Sequence, residues 1–154
     1  MTIGKTNYDQ SGFDSLIHQT TLTTAQKAAN LSLKVDQLFQ EPAAPYHAVH
    51  ATTTIENENS KLRFTMYANE KVLRHIADSM LGEPADDPED YEDAVKEFFN
   101  IICGRIVSEM VKKYHIRIVF PPPVFSSAYE APTNSIAHMS FSDGCGERLC
   151  IVCD

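Results

Sequence analysis

Residues 88–114, PEDYEDAVKEFFNIICGRIVSEMVKKY, constrain the fold more than any other stretch of this sequence. At about 100° per residue, Val95, Phe98, Phe99, Ile102, Ile106 and Met110 fall on one side, the pattern of an amphipathic helix with an apolar stripe turned to a core. The helix is predicted to start at about Pro88 or Glu89 and to run to Tyr114. The stretch that leads into it, EPADDPEDYED (83–93), holds seven acids and two prolines. It reads as a solvated loop whose acids favour the positive end of the helix that follows. A stripe this apolar must be buried against another layer, and the rest of the chain has to supply one.

That layer is legible as strands. YHAVHATTTI (46–55) and KLRFTMYA (61–68) are rich in β-branched and aromatic residues, and the polar turn ENENS joins them as a hairpin. LSLKVDQLF (31–39) alternates Leu31, Leu33 and Val35 with Ser32, Lys34 and Asp36, which predicts a half-buried strand that EPAAP then breaks. HIRIVF (115–120) predicts a strand ended by PPPVF, and SIAHMSFS with ERLCIVCD flanks the turn DGCG as a terminal hairpin. Two further helices are expected. One, weakened by threonines, spans Phe13 to about Asn30 after a polar and loose segment 1–12. The other is EKVLRHIADSM, with Asn69 as its N-cap, Val72, Leu73, Ile76, Ala77 and Met80 on one face, and Gly82 as its stop. The order predicts one α+β domain over 1–154, a class often filed as α/β, with a mostly antiparallel sheet and two long helices packed on it.

Charge narrows the function. Asp and Glu total 21 against 13 Lys and Arg, a net charge of −8, which offers no basic field to a nucleic-acid backbone. No apolar run approaches a membrane span, and MTIGKTNYDQSGFD lacks the charged and apolar parts of a secretory signal, so a cytoplasmic location is expected. Four cysteines stand at 103, 145, 150 and 153. Only Cys150 and Cys153 form a C-x2-C pair. In a strand their side chains would point to opposite faces, which favours reduced thiols over a metal or redox site and predicts no metal ligands in this chain. A small-ligand or redox protein centred on Cys145, Cys150 and Cys153 remains the rival reading of that segment.

The polar side of the long helix carries the residues that its stability does not explain. Asn100, Gly104 and Ser108 fall within about 60° of Glu97, with Ile101 and Val111 beside them. Gly costs about 1 kcal/mol against Ala inside a helix and Asn a few tenths, so their presence calls for a cause. One cause is a docking surface where a carboxylate and a carboxamide sit a turn apart and a glycine lets another surface approach. The other is an ordinary wet face with a close helix contact at Gly104. E-x-x-N by itself is a weak motif, and Glu56 with Asn59 in ENENS gives a second copy in a turn.

Taken together, EKVLRHIADSMLGE, an acidic spacer, DAVKEFFNIICGRIVSEM, YHIRIVFPPPV and a closing hairpin resemble the CheX and CheC family of chemotaxis phosphatases. The likeness rests on N-x-x-x-G within the helix, Glu three residues before the Asn, and a following strand ended by prolines. It covers about residues 60–125 well. The resemblance implies a phosphatase that hydrolyses the aspartyl phosphate of a CheY-like response-regulator receiver domain in two-component signalling. Glu97 and Asn100 match the family's catalytic positions, Asn100 orienting the attacking water and Glu97 docking to the receiver. Ile101, Gly104 and Ser108 would line the partner-binding face. The resemblance also implies Mg2+ on the receiver with no cofactor in this chain, and dimers paired through sheet edges. A single E-x-x-N helix is CheX-like, since the earlier helix reads Glu70 to Leu73. The first hairpin lacks the glycines usual in the family, and SSAYEAP replaces the glycine expected after the proline-ended strand. A non-catalytic receiver- or partner-binding module of the same fold is the alternative.

Overall fold

In the computed structural model, which describes residues 2–3, 6–56, 60–126 and 134–154, the chain opens with β1 (Thr2–Ile3), β2 (Thr6–Asn7) and α1 (Gln10–Ala29). It continues through β3 (Lys34–Val35), β4 (Tyr46–Ile55), β5 (Ser60–Asn69), α2 (Glu70–Leu81) and α3 (Pro88–Tyr114). It closes with β6 (Ile118–Val119), β7 (Val124–Ser126), β8 (Ala137–Ser142) and β9 (Arg148–Cys153). Seven strands form one sheet in the order β3-β8-β9-β5-β4-β6, with β7 also on β4, and the pairs are antiparallel. β1 and β2 form a separate ribbon.

The centre of the sheet is the hairpin read from 46–68. β4 and β5 pair over ten positions, from Tyr46 opposite Asn69 to Ile55 opposite Ser60. Alternation sends Leu62, Phe64, Met66 and Ala68 of β5 and Leu149, Ile151 and Cys153 of β9 into one core with the helices. Ala48, Tyr67, Cys150 and Val152 form a smaller cluster covered by Phe39 and Tyr46. The helices therefore lie on one face of the sheet. The apolar stripe of α3 is the floor of that layer, with Val95, Phe98, Phe99, Ile102, Ile106 and Met110 all buried.

Sequence and structure differ in five places, each with a physical reason. Segment 1–12, of which residues 1, 4 and 5 lie outside the described residues, places Ile3 and Tyr8 in the core. Both are buried, the Tyr8 ring meets Tyr114 edge-on at 4.4 Å, and α1 begins at Gln10 rather than Phe13. The strand expected over 31–39 shrinks to Lys34–Val35, the two positions that reach Phe141 and Ser142 of β8. Leu31 and Leu33 are buried without being in a strand, and Val35 is exposed. Asn69 starts α2 but does not cap it with its side chain. Its amide donates to Ala43 O and its Oδ1 accepts from Arg148 N at 2.7 Å, so it ties β5 to a loop and to β9. The strand expected over 115–120 is only Ile118–Val119, and beyond the three prolines, which have no N–H to give a ladder, β7 forms where a break was predicted. Both pair with β4. The centre of the ENENS turn, including Asn59, and nearly all of SSAYEAP lie outside the described residues.

Candidate functional site on the outer face of the long helix

The helix that carries the candidate residues is anchored at its start. Asp87 is the N-cap, its Oδ1 accepting from Glu89 N at 2.8 Å and Asp90 N at 3.3 Å, and Pro88 occupies the first turn, where its missing N–H costs nothing. Glu89 and Asp90 sit in the first turn and Lys112 and Lys113 in the last, matching the helix dipole at both ends. Behind the acidic loop, Arg74 of α2 lies 4.3 Å from the centre of the Tyr91 ring and donates to Ala85 O, locking the turn between α2 and α3. Burial pushes the Tyr91 hydroxyl up to about 12, against the pull of Arg74. Twenty-seven residues at 1.5 Å each make a rod of about 40 Å, held from inside by the core stripe.

Its outer face brings the candidate residues together. Asn100, Ile101, Gly104 and Ser108 line one open groove of about 590 Å3, with Arg105, Glu109 and Lys112 of α3 and Thr20 of α1. Glu97 stands one turn before Asn100, exposed and just outside the groove. Neither Glu97 nor the Asn100 side chain has a hydrogen bond or ion pair among the described residues. The neighbouring Lys96 is turned instead to Asp93, at 3.3 Å. Ile101 and Val111 are half-buried and give the face its apolar part. Arg105, Glu109, Lys112 and Thr20 are not among the residues that the sequence singles out. Arg105 lies about 80° from Glu97 around the helix, just past the arc that contains the others.

Gly104 discriminates between the two causes considered for this face. A Cβ built there meets no heavy atom of the described residues within 4 Å, so the glycine serves no close contact among them. Its backbone is helical, with no left-handed φ that would favour glycine. The helix therefore accepts a local penalty of about 1 kcal/mol for an opening directed outward. A neutral carboxamide that both donates and accepts, an unpaired carboxylate one turn away and a cleared backbone form a surface able to hold a water against another molecule's charged group.

The cysteines are arranged differently from a site. Cys150 lies in the smaller cluster and Cys153 in the main core with Cys103, so the C-x2-C pair is split between the two faces of the sheet. Burial raises the thiols of Cys103 and Cys153 and pushes Cys150 up to about 12, while Cys145 is exposed in the β8–β9 turn. The Cys150 thiol donates to Gln40 O at 3.4 Å. No helix among the described residues is long and apolar enough to cross a membrane.

The profile of the family "chemotaxis phosphatase CheX" matches residues 49–141, more than half of the chain. No curated protein matches the sequence. Among solved structures, the chain is similar to chemotaxis protein CheX from Vibrio vulnificus, at 19% identity over 96% of this chain and 99% of that one, with a TM-score of 0.71. It is similar to CheX from Desulfovibrio desulfuricans at 15% identity, over 93% and 98% of the two chains, with a TM-score of 0.74. A chain of the CheX–CheY–BeF3–Mg2+ complex from Borrelia burgdorferi matches at 15% identity over 92% and 96%, with a TM-score of 0.68. At these identities the likeness is one of fold: three helices on one face of a mostly antiparallel seven-stranded sheet.

Proposed function

We propose that this chain, which belongs to the chemotaxis phosphatase CheX family, hydrolyses the aspartyl phosphate of a CheY-like receiver domain at the outer face of α3. The observation that carries the reading is the open space over Gly104 beside Glu97 and Asn100, whose side chains have no partner among the described residues. A polar pair without partners among the described residues, next to a glycine that serves no contact among them, is the expected form of a helix that works on a second protein.

An acyl phosphate is already activated, so its hydrolysis needs little beyond a water held in line with phosphorus and stabilisation of the departing carboxylate. In this reading the Asn100 carboxamide oxygen accepts a hydrogen bond from that water and its N–H2 donates, while the neutral group leaves the phosphoryl oxygens unrepelled. Water adds its oxygen to phosphorus, the P–O bond to the receiver aspartate breaks, and the products are inorganic phosphate and a free carboxylate. Glu97 pairs with a lysine of the receiver and sets the register of the helix over the phosphate. The charge on the phosphoryl group is countered by Mg2+ held on the receiver, and the Borrelia burgdorferi complex, which contains CheX, CheY and Mg2+, supports that division of labour.

The same reading puts the protein in the cytoplasm with its receiver and pairs it as a dimer through a sheet edge. The exposed valines support the second point, since Val35 lies on edge strand β3 and Val119 and Val124 on β6 and β7 at the other edge. Sedimentation equilibrium tests it, and a monomer at micromolar concentration would remove the dimer from the account.

The experiment follows loss of phosphate from a phosphorylated receiver of the same organism with wild type, Asn100→Ala and Glu97→Ala. Asn100→Ala abolishes turnover and keeps binding, and Glu97→Ala weakens both. Tight binding of the phosphorylated receiver by the wild type with no turnover would instead make the chain a binding module of this fold.

A further inference from the structure

The groove beside Asn100 has a charge balance opposite to that of the chain. The whole sequence carries 21 acids and 13 Lys and Arg, yet the groove is lined by two cations, Arg105 and Lys112, and one acid, Glu109. Glu109 is engaged: its carboxylate lies 3.6 Å from Lys112 Nζ. Arg105, four residues before Glu109 and so within reach of it on the helix surface, makes no ion pair or hydrogen bond among the described residues. It is an exposed guanidinium on the rim of the groove, and its neighbour Gly104 presents no side chain to obstruct it.

We propose that Arg105 is a specificity-determining residue of this face, receiving a carboxylate on the receiver surface beside the phosphorylation site. The inference rests on the receiver-phosphatase reading and adds a second charged anchor to it. Glu97 and Arg105 are eight residues apart, about 12 Å along the helix axis, so a partner must present a cation and an anion at about that separation. Two opposite charges fix the direction of docking as well as its position, which one charge cannot do. In a chain of net charge −8, a local cation on the docking face is the feature that would draw an anionic group of the receiver to it.

The anion received is a carboxylate rather than the phosphoryl group. Arg105 lies about 140° around the helix from Asn100 and about 7.5 Å further along, so the two side chains leave the helix in different directions. The planar fork of Arg suits a carboxylate through two parallel N–H bonds, a geometry that Lys cannot reproduce.

The test measures dephosphorylation of a phosphorylated receiver at varied receiver concentration, at low and high salt, with Arg105→Ala, Arg105→Lys and Arg105→Glu. Lys61→Glu is the control, since it makes the same change of charge on the sheet face turned away from the helices. At low salt KM rises about threefold in Arg105→Ala and about tenfold in Arg105→Glu, with kcat within about twofold, and the differences shrink as salt is added. Arg105→Lys falls between wild type and Ala, and Lys61→Glu stays near wild type. An unchanged KM in Arg105→Glu would overturn the assignment, and so would an equal rise in Lys61→Glu, which would reduce the effect to net charge. A fall in kcat at constant KM would overturn it too, by placing Arg105 on the phosphoryl group. Failure of the wild type itself to bind or dephosphorylate the receiver would defeat the underlying reading and this inference with it.

Discussion

Replacing Gly104 with Ala should stabilise the protein and impair it at the same time. The added methyl meets no heavy atom of the described residues within 4 Å, so it carries no steric cost against them. The helix gains the difference in propensity, about 0.5–1 kcal/mol, mainly through a less flexible unfolded chain. For a domain of this length 1 kcal/mol moves Tm by about 2–4 °C, so a rise of about 1–4 °C is expected, with the urea midpoint moving up at constant m. The same methyl fills the opening through which a receiver would approach, and a displacement of about 1 Å at a reacting group can cost up to a hundredfold. We expect kcat/KM towards a phosphorylated receiver to fall by about tenfold or more. The assay pairs thermal and urea melts with initial rates of phosphate loss on the same preparations. A variant that is more stable and equally active would show that Gly104 has no part in docking. A variant less stable than wild type would show that the space over Gly104 is not open.

Asp87→Ala removes the acceptor for Glu89 N and Asp90 N and should cost about 1 kcal/mol, a fall in Tm of about 2–4 °C. An unchanged melt would mean that the proline and acidic first turn suffice to start α3. Thiol labelling at mildly alkaline pH should modify Cys145 quickly and leave Cys103, Cys150 and Cys153 protected, because burial disfavours their thiolates, with all four reacting in denaturant. Two or more thiols reacting at similar rates in the native protein would contradict the burial of Cys103 in α3 or of Cys150 and Cys153 in β9.

The parts of the fold that could be read in advance are those that local pattern determines. α3 runs from Pro88 to Tyr114 as its apolar period and its proline start predict, and Gly82 ends α2 in the left-handed conformation with φ of +72°. The β4–β5 and β8–β9 hairpins follow from β-branched runs around polar turns. Missed features depend on contacts distant in sequence. Asn69 has the residue type of a cap, but Ala43 and Arg148 compete for its side chain and win. Leu31 and Leu33 alternate as a strand would, yet only Lys34 and Val35 reach a neighbouring strand. β7 exists because β4 has a free edge to offer Val124–Ser126, which the preceding prolines conceal. At the candidate site, the wheel gathers Glu97, Asn100, Gly104 and Ser108, but the open space over Gly104 and the turn of Glu109 to Lys112, which leaves Arg105 without a partner among the described residues, depend on side-chain placement that the wheel does not contain.

The most direct test of the account compares wild type with Asn100→Ala on one phosphorylated receiver, measuring release of phosphate and binding on the same samples. Asn100→Ala is expected to bind the phosphorylated receiver with an affinity close to wild type and to leave its phosphate to decay at the receiver's own rate. Equal rates of phosphate loss with wild type and Asn100→Ala would contradict it.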